Sequence, residues 1–370
     1  EWMQRRSNAS VFMERGTYGM DVEPDMARAM KTYRKVTRYG HAVGRIMVHE
    51  AALLDWQRIV RLLESEFSEC LEILRETEYG PYLEDSVVSG DVEKGLQRFL
   101  VEQYAFLDDI CAGTYVARFL HIKYDFHNLK VIFKEKYFGG SANEMLSGLG
   151  RLDVELLEAA IEDGQVGHLP RYWDRVVEEV RAAVEADEED PGTVDAVADR
   201  LYLERRLELA RMEKSRFLVS YARAAIDVAN LRVLLRGRRL EKEQGYYRLA
   251  LANGGRLERS MLLDLAGDAY ERLAARLIST RYGRMLTEVL RTEDKEVRLT
   301  SLDRYSDEYL LEKLRAMDRI RVGPERIVNY IITRENEVVL IRILLQGKLH
   351  RLTPAVIEEV INPAYLAERG

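Results

Sequence analysis

Apolar side chains recur at helical spacing along almost the whole chain from about Asp25 onward, so the chain reads as one helix after another. The breaks fall where Gly, Pro or acidic clusters intervene: Tyr79-Gly80-Pro81, Phe138 to Ser141, Gly164 to Pro170, Glu185 to Gly192, Asn253-Gly254-Gly255 and Gly323-Pro324. The acidic run Glu185 to Gly192 predicts an exposed turn. Pro324 after Gly323 suits a helix start, and Gly347 suits a stop, which predicts an uninterrupted helix of about 23 residues. Thr353-Pro354 opens a further helix in the same way. Strand signals are almost absent, because β-branched residues fall inside the helical period rather than in alternation.

Three segments align without gaps: Asp125 to Lys136 (DFHNLKVIFKEK), Asp227 to Arg238 (DVANLRVLLRGR) and Glu337 to Lys348 (EVVLIRILLQGK). Their leading acids lie 102 and 110 residues apart, which predicts three copies of a unit of about 100 residues. The expected organisation is an extension and leading helix at 1–38, helical repeats at 39–140, 141–243 and 244–350, and a C-terminal helix at 351–370. With about 100° per residue, apolar positions +1, +4, +6, +7 and +8 from the acid cover an arc from about 240° through 0° to 100°, so the shared helix is mostly buried. The acid lies within that arc. Asp125, Asp227 and Glu337 therefore need a hydrogen-bonding or cationic partner from another helix, and a structural role is expected for all three. The bases at +5 and +9, Lys130 and Lys134, Arg232 and Arg236, and Arg342 with Gln346, form the one polar ridge. Acid and +5 base are about 140° apart and cannot pair within one helix.

Composition supports an all-α chain: seven prolines in 370 residues is about 2%, against an average near 5%. The two cysteines, Cys70 and Cys111, cannot form a disulfide framework and give no CxxC site, so a reducing compartment is expected. No run free of Asp, Glu, Lys and Arg exceeds eight residues, so no membrane span is expected. A formal charge of −7 argues against a general nucleic-acid binder. The first residue is not Met and no signal peptide is recognisable, so a start upstream or at Met3, Met13 or Met20 is expected.

The usual catalytic constellations are missing, and no catalytic residue, metal site or cofactor is expected. Gln346-Gly347-Lys348-Leu349 resembles the end of a phosphate-binding loop, but Leu349 replaces the magnesium-binding hydroxyl and Arg342 stands where the first glycine belongs. His121 and Asp125 are four apart on one helix face, yet no second ligand pair is marked. Asp108-Asp109 begins like the aspartate-rich motif of helical prenyl-diphosphate enzymes, but Ala112 replaces the third aspartate. The cations Arg232, Arg236, Arg238, Arg239 and Lys242 could touch phosphate or an acidic protein, or simply offset a helix dipole.

Several stretches in order, Tyr39 to Leu54, Arg75 to Leu83, Lys123 to Lys130, and Arg334 to Glu337 running into Arg342 and Gln346 to Leu349, resemble the C subunit of archaeal and bacterial V/A-type rotary ATPases, the counterpart of the eukaryotic d subunit. The resemblance spans roughly residues 39 to 350. It implies three pseudo-equivalent helical bundles arranged as a funnel, and a non-catalytic central-stalk part that couples the central shaft, made of the D and F subunits, to the membrane rotor ring for ion transport. It implies a place on the cytoplasmic side, peripheral to the membrane, with no nucleotide site. Lys130, Lys134, Arg232, Arg236 and Arg342 are the expected contacts for shaft or ring. Two other readings share parts of these features: a helical scaffold of another complex, and a magnesium-dependent prenyl-diphosphate enzyme using Asp108 and Asp109.

Overall fold

In the computed structural model, residues 24–83, 92–140, 145–162, 164, 167–187, 190–268, 270–291 and 295–361 are described. The N-terminal extension expected before residue 24 and the end of the C-terminal segment lie outside these residues. Among the described residues the chain is helical, with no strand. The helices are α1 (Pro24–Glu50), α2 (Trp56–Glu64), α3 (Phe67–Arg75), α4 (Val92–Ile110), α5 (Tyr115–Phe138), α6 (Val154–Glu162), α7 (Arg171–Ala186), α8 (Gly192–Met212), α9 (Arg216–Arg239), α10 (Gln244–Ala250), α11 (Arg259–Asp264), α12 (Tyr270–Leu277), α13 (Gly283–Arg291), α14 (Lys295–Asp318), α15 (Pro324–Leu349) and α16 (Pro354–Val360).

The three aligned segments lie in α5, α9 and α15, and more than half the residues of each helix are buried. Side-chain caps set where two of them begin. The Thr114 hydroxyl accepts from Val116 N–H at the start of α5, and Ser215 accepts from Leu218 N–H at the start of α9. At the start of α15, Pro324 occupies the first turn, where its missing N–H costs nothing.

Gly347 does not end α15, which continues to Leu349. Its place is set by packing: a Cβ there would lie 2.7 Å from Ile357 Cγ1 on α16. Gly237 does the same in α9, where a Cβ would lie 2.8 Å from Tyr247 Cε1 on α10. Both helices close with the same hydrogen-bond pattern: Lys242 N–H donates to the Gly237 carbonyl at 2.8 Å, and Leu352 N–H to the Gly347 carbonyl at 2.9 Å. The turn forces Glu241 (φ 52°) and Arg351 (φ 56°) into the left-handed region, which side-chain-bearing residues rarely adopt.

Helix α5 packs against α8 and α6, α9 against α14 and α10, and α15 against α4, α1 and α3. One hydrophobic core runs from Tyr39 through α5 and α8 to α15 and α16, so the last long helix shares a core with the first third of the chain. A second core joins the C-terminal half of α9 to α10 through α14.

Candidate functional site

Asp125, Asp227 and Glu337 are 5%, 0% and 3% exposed, so all three carboxylates are enclosed. Their partners are mainly backbone amides of connecting loops, which turn toward each acid. Asp125 Oδ1 accepts from Arg151 N–H at 2.5 Å and Leu152 N–H at 2.9 Å. Asp227 Oδ1 accepts from Arg256 N–H at 2.8 Å and Leu257 N–H at 3.0 Å. Glu337 Oε1 accepts from Leu54 N–H at 2.7 Å. The acids of α5 and α9 thus hold the loops that follow them, and the acid of α15 reaches back to the loop between α1 and α2.

The loop geometry recurs down to single residues. Asn128 on α5 exchanges two hydrogen bonds with the backbone of Ser147, at 2.9 and 2.8 Å, and Asn230 on α9 does so with Ala252 at the same distances. Gly150 and Gly255 precede the amides that reach the acids, because a Cβ there would lie 2.9 Å from Asp125 Oδ1 and 2.2 Å from Asp227 Oδ1. The tripeptide Gly-Arg-Leu at 150–152 and 255–257 is therefore a sequence signal for these loops.

A second signal is Thr-x-Tyr-Gly, which occurs at Thr37 to Gly40, where Tyr39 O–H donates to Glu213, and at Thr77 to Gly80 and Thr280 to Gly283, where the tyrosines reach the repeat acids. Tyr282 O–H donates to Asp227 Oδ2 at 2.6 Å, and Tyr79 O–H to Glu337 Oε2 at 3.0 Å. Glu337 also accepts from Arg334 Nη1 at 3.0 Å. Arg334 is fully buried and donates further to the His49 carbonyl and to Glu78. Burial works against its charge, and Glu337 and the nearby tyrosines outweigh that, holding its pKa above the ordinary arginine value. Burial pushes the Asp125 and Asp227 carboxyls up, against the amide hydrogen bonds and, for Asp227, against the Tyr282 hydroxyl.

The basic ridge pairs inside the chain. Lys130 Nζ meets Asp199 at 2.8 Å and Lys134 Nζ meets Asp195 at 2.6 Å, both acids on α8. Arg232 meets Asp307 at 2.8 Å and Arg236 meets Asp303 at 2.7 Å, both on α14. Arg342 grips Glu93 on α4 with two nitrogens, at 2.6 and 2.7 Å. Burial disfavours the charged form of Lys130, but Asp199 and Asp195 raise its pKa overall. The acids sit four apart on α8 and on α14, facing bases four apart on α5 and α9, so the two ladders are the same device. Each pair stays partly exposed, with Arg236 at 50% and Lys134 at 39%.

The other candidate chemistry is dispersed. Asp108 faces His121 and Arg151, while Asp109 pairs with Arg45, so the two carboxylates do not converge. His121 uses one ring nitrogen on Asp108 and the other on the Leu149 carbonyl. Lys348 donates to the Leu63 carbonyl near the end of α2. No group of three or more His, Cys, Asp or Glu side chains suited to a metal occurs among the described residues. Nor is any helix among them long and apolar enough to cross a membrane.

A family model described as ATP synthase (C/AC39) subunit matches residues 42–360, the stretch that holds all three acid-and-loop units. The chain belongs to this family. The C subunit of the A-type ATP synthase of Methanocaldococcus jannaschii is 26% identical over 349 residues, covering 87% of this chain and 86% of the relative. The C subunit of the V-type sodium ATPase of Enterococcus hirae is 23% identical over 319 residues, covering 85% and 95%. The C subunit of the A-type ATP synthase of Thermococcus kodakarensis is 25% identical over 356 residues, covering 90% and 93%. The resemblance seen in the sequence is thus a true family relation. As an ATP synthase (C/AC39) subunit, the chain is one part of a multi-subunit rotary ATPase.

Proposed function

We propose that the chain is the non-catalytic central-stalk subunit that couples the shaft, made of the D and F subunits, to the membrane rotor ring, on the cytoplasmic side of a membrane it does not enter. The three units would form the funnel, with its socket receiving the shaft. The observation that carries this reading is the return bond from Glu337 on α15 to Leu54 N–H and Tyr79 near the start of the chain. It closes the chain on itself, and a closed body of short-looped helices resists twisting, as a torque adapter must.

Lys130, Lys134, Arg232, Arg236 and Arg342 are proposed contacts for shaft or ring loops. Their exposed ion pairs are individually weak, on the order of 1 kcal/mol or less, so a partner's carboxylate can exchange for the internal one at small cost. Complementary charges then set orientation and encounter rate.

The test is co-purification of the tagged chain from solubilised membranes, followed by removal of the chain from the complex. The complex is expected to retain ATP hydrolysis and lose ion pumping without the chain. Absence of the chain from any ATP-hydrolysing complex would sink the proposal. The ridge is tested by exchanging charges, Arg342→Glu with Glu93→Arg, which keeps the internal pair while reversing the face. Unchanged affinity for both the D–F shaft and the ring would remove Arg342 from the contact surface.

A further inference from the structure

The three buried acids are not equally satisfied. In two of them both carboxylate oxygens have donors, the second coming from a tyrosine O–H: Tyr282 for Asp227 and Tyr79 for Glu337. Asp125 uses only Oδ1, for the two loop amides, and no donor among the described residues reaches Oδ2. The stretch after Gly150-Arg151-Leu152 carries no Thr-x-Tyr-Gly motif before α7, so the tyrosine of the other two units has no counterpart there. Asp125 is not among the sealed, partnerless polar atoms of the described residues and lines an open pocket, so a donor entering that space can reach the carboxylate.

A pocket of about 300 Å³ opens beside that carboxylate, between α5, α7 and α8. Its walls pair aromatic surface with cations: Tyr172 and Trp173 at the start of α7, Arg118 on α5, Arg151 on the loop and Arg205 on α8. Arg205 lies over the Tyr172 ring at 4.2 Å and pairs with Glu208 at its own helix surface. Arg151 reaches Asp108 only at 3.5 Å. Arg118 is exposed and meets no carboxylate among the described residues. Three guanidinium groups thus line the pocket beside the Asp125 carboxylate, Arg118 among them with no carboxylate partner among the described residues, around a space at the small end of ligand pockets, which begin near roughly 300 Å³.

We propose that this pocket binds a small hydroxylated aromatic anion, its hydroxyl donating to Asp125 as a tyrosine does to the other two acids, and its anionic group held by Arg118, Arg151 and Arg205. Trp173 and Tyr172 line the pocket and supply an aromatic wall for the ring. Guanidinium groups suit the anionic end because they are always charged and bind carboxylate or phosphate with two donors at once. The site is independent of the ridge and of the proposed coupling role, since none of its residues belongs to either.

Isothermal titration of the full chain with 4-hydroxybenzoate tests this, with benzoate and phenol as the two half-ligands. Saturable binding of one equivalent is expected for 4-hydroxybenzoate, with each half-ligand weaker by about tenfold or more, since each loses a hydrogen bond to a charged group. Arg118→Ala and Arg205→Ala are each expected to weaken binding by about fivefold or more, and Arg118→Ala, at an exposed side chain, to leave the melting temperature of the ligand-free protein unchanged. Asp125 is left intact because it holds the loop. Absence of saturable heat at millimolar probe would overturn the proposal, and so would equal binding of benzoate or unaltered binding by both arginine variants.

Discussion

Asp227 is the strictest test of the acid-and-loop units, since it is fully enclosed and accepts three hydrogen bonds: Arg256 N–H at 2.8 Å, Leu257 N–H at 3.0 Å and Tyr282 O–H at 2.6 Å. Asp227→Ala leaves two amides and one hydroxyl without an acceptor in a packed interior. At about 1 to 3 kcal/mol for each orphaned donor, and with partial relaxation of the loop, the loss is about 4 kcal/mol. Asp227→Asn keeps one oxygen for the two amides, and the Tyr282 hydroxyl can rotate to accept from the new amide nitrogen. Its loss is smaller, about 1 to 2 kcal/mol, reflecting the exchange of charged for neutral hydrogen bonds. Tyr282→Phe in the natural background is expected to cost about 1 kcal/mol, and in the Asp227→Ala background nothing, because the hydroxyl is already orphaned there. Urea unfolding followed by far-ultraviolet circular dichroism gives the midpoints of the cycle. Equal midpoints for the Asp227→Ala and Asp227→Asn variants, or an undiminished cost of Tyr282→Phe in the Asp227→Ala background, would refute the reasoning.

Three further outcomes follow from particular contacts. Gly255→Ala, which pushes a Cβ to 2.2 Å from Asp227 Oδ1, is expected to destabilise by about 3 kcal/mol, and Gly150→Ala, at 2.9 Å from Asp125 Oδ1, by about half of that; urea midpoints give the order, and the reverse order would contradict the geometry. Glu241→Gly and Arg351→Gly are each expected to raise the thermal midpoint, by relief of about 0.5 to 1 kcal/mol of left-handed strain, and a fall in either would count against the helix-end account. Burial, and then the carboxylate each one donates to, Glu337 for Tyr79 and Glu335 for Tyr104, pushes these two hydroxyls well above the ordinary value of 10.0, and burial with Asp227 does so for Tyr282. Because the folded values are the raised ones, their contribution is complete below pH 10 and is lost as the pH rises above it, at about 1.4 kcal/mol per pH unit for each. Unfolding between pH 10 and 12 is therefore expected to be less steep in a Tyr79→Phe, Tyr282→Phe double variant; identical slopes would show that these hydroxyls ionise in the folded state.

The helical class, the alignment of three long helices and the burial of their acids were all legible in the sequence, because each rests on local spacing. The end of α15 was legible to within two residues, but the role of Gly347 was not, since the Ile357 side chain that demands a small residue comes from another helix. The ridge was legible as a polar stripe, whereas its partners Asp195, Asp199, Asp303, Asp307 and Glu93 were not. Those acids sit among many others on exposed helix faces, and nothing in their spacing marks which helix they face. The buried role of Arg334 was not legible for a related reason: a charge three residues before Glu337 reads as a surface pair until the packing encloses it.

Sequence alone determined which positions this chain must bury, and hence that it is a helical protein built around three like segments. A period of 3.6 residues is a property of neighbours along the chain, and it survives without knowledge of the rest. What the buried acids hold was decided only in three dimensions. Their partners are backbone amides, which nearly every residue type carries, and the bond from Leu54 to Glu337 joins residues 283 positions apart. The same is true of the second oxygen of Asp125: its difference from the other two acids emerges only when the three units are compared in space, where two have a tyrosine and the third a pocket.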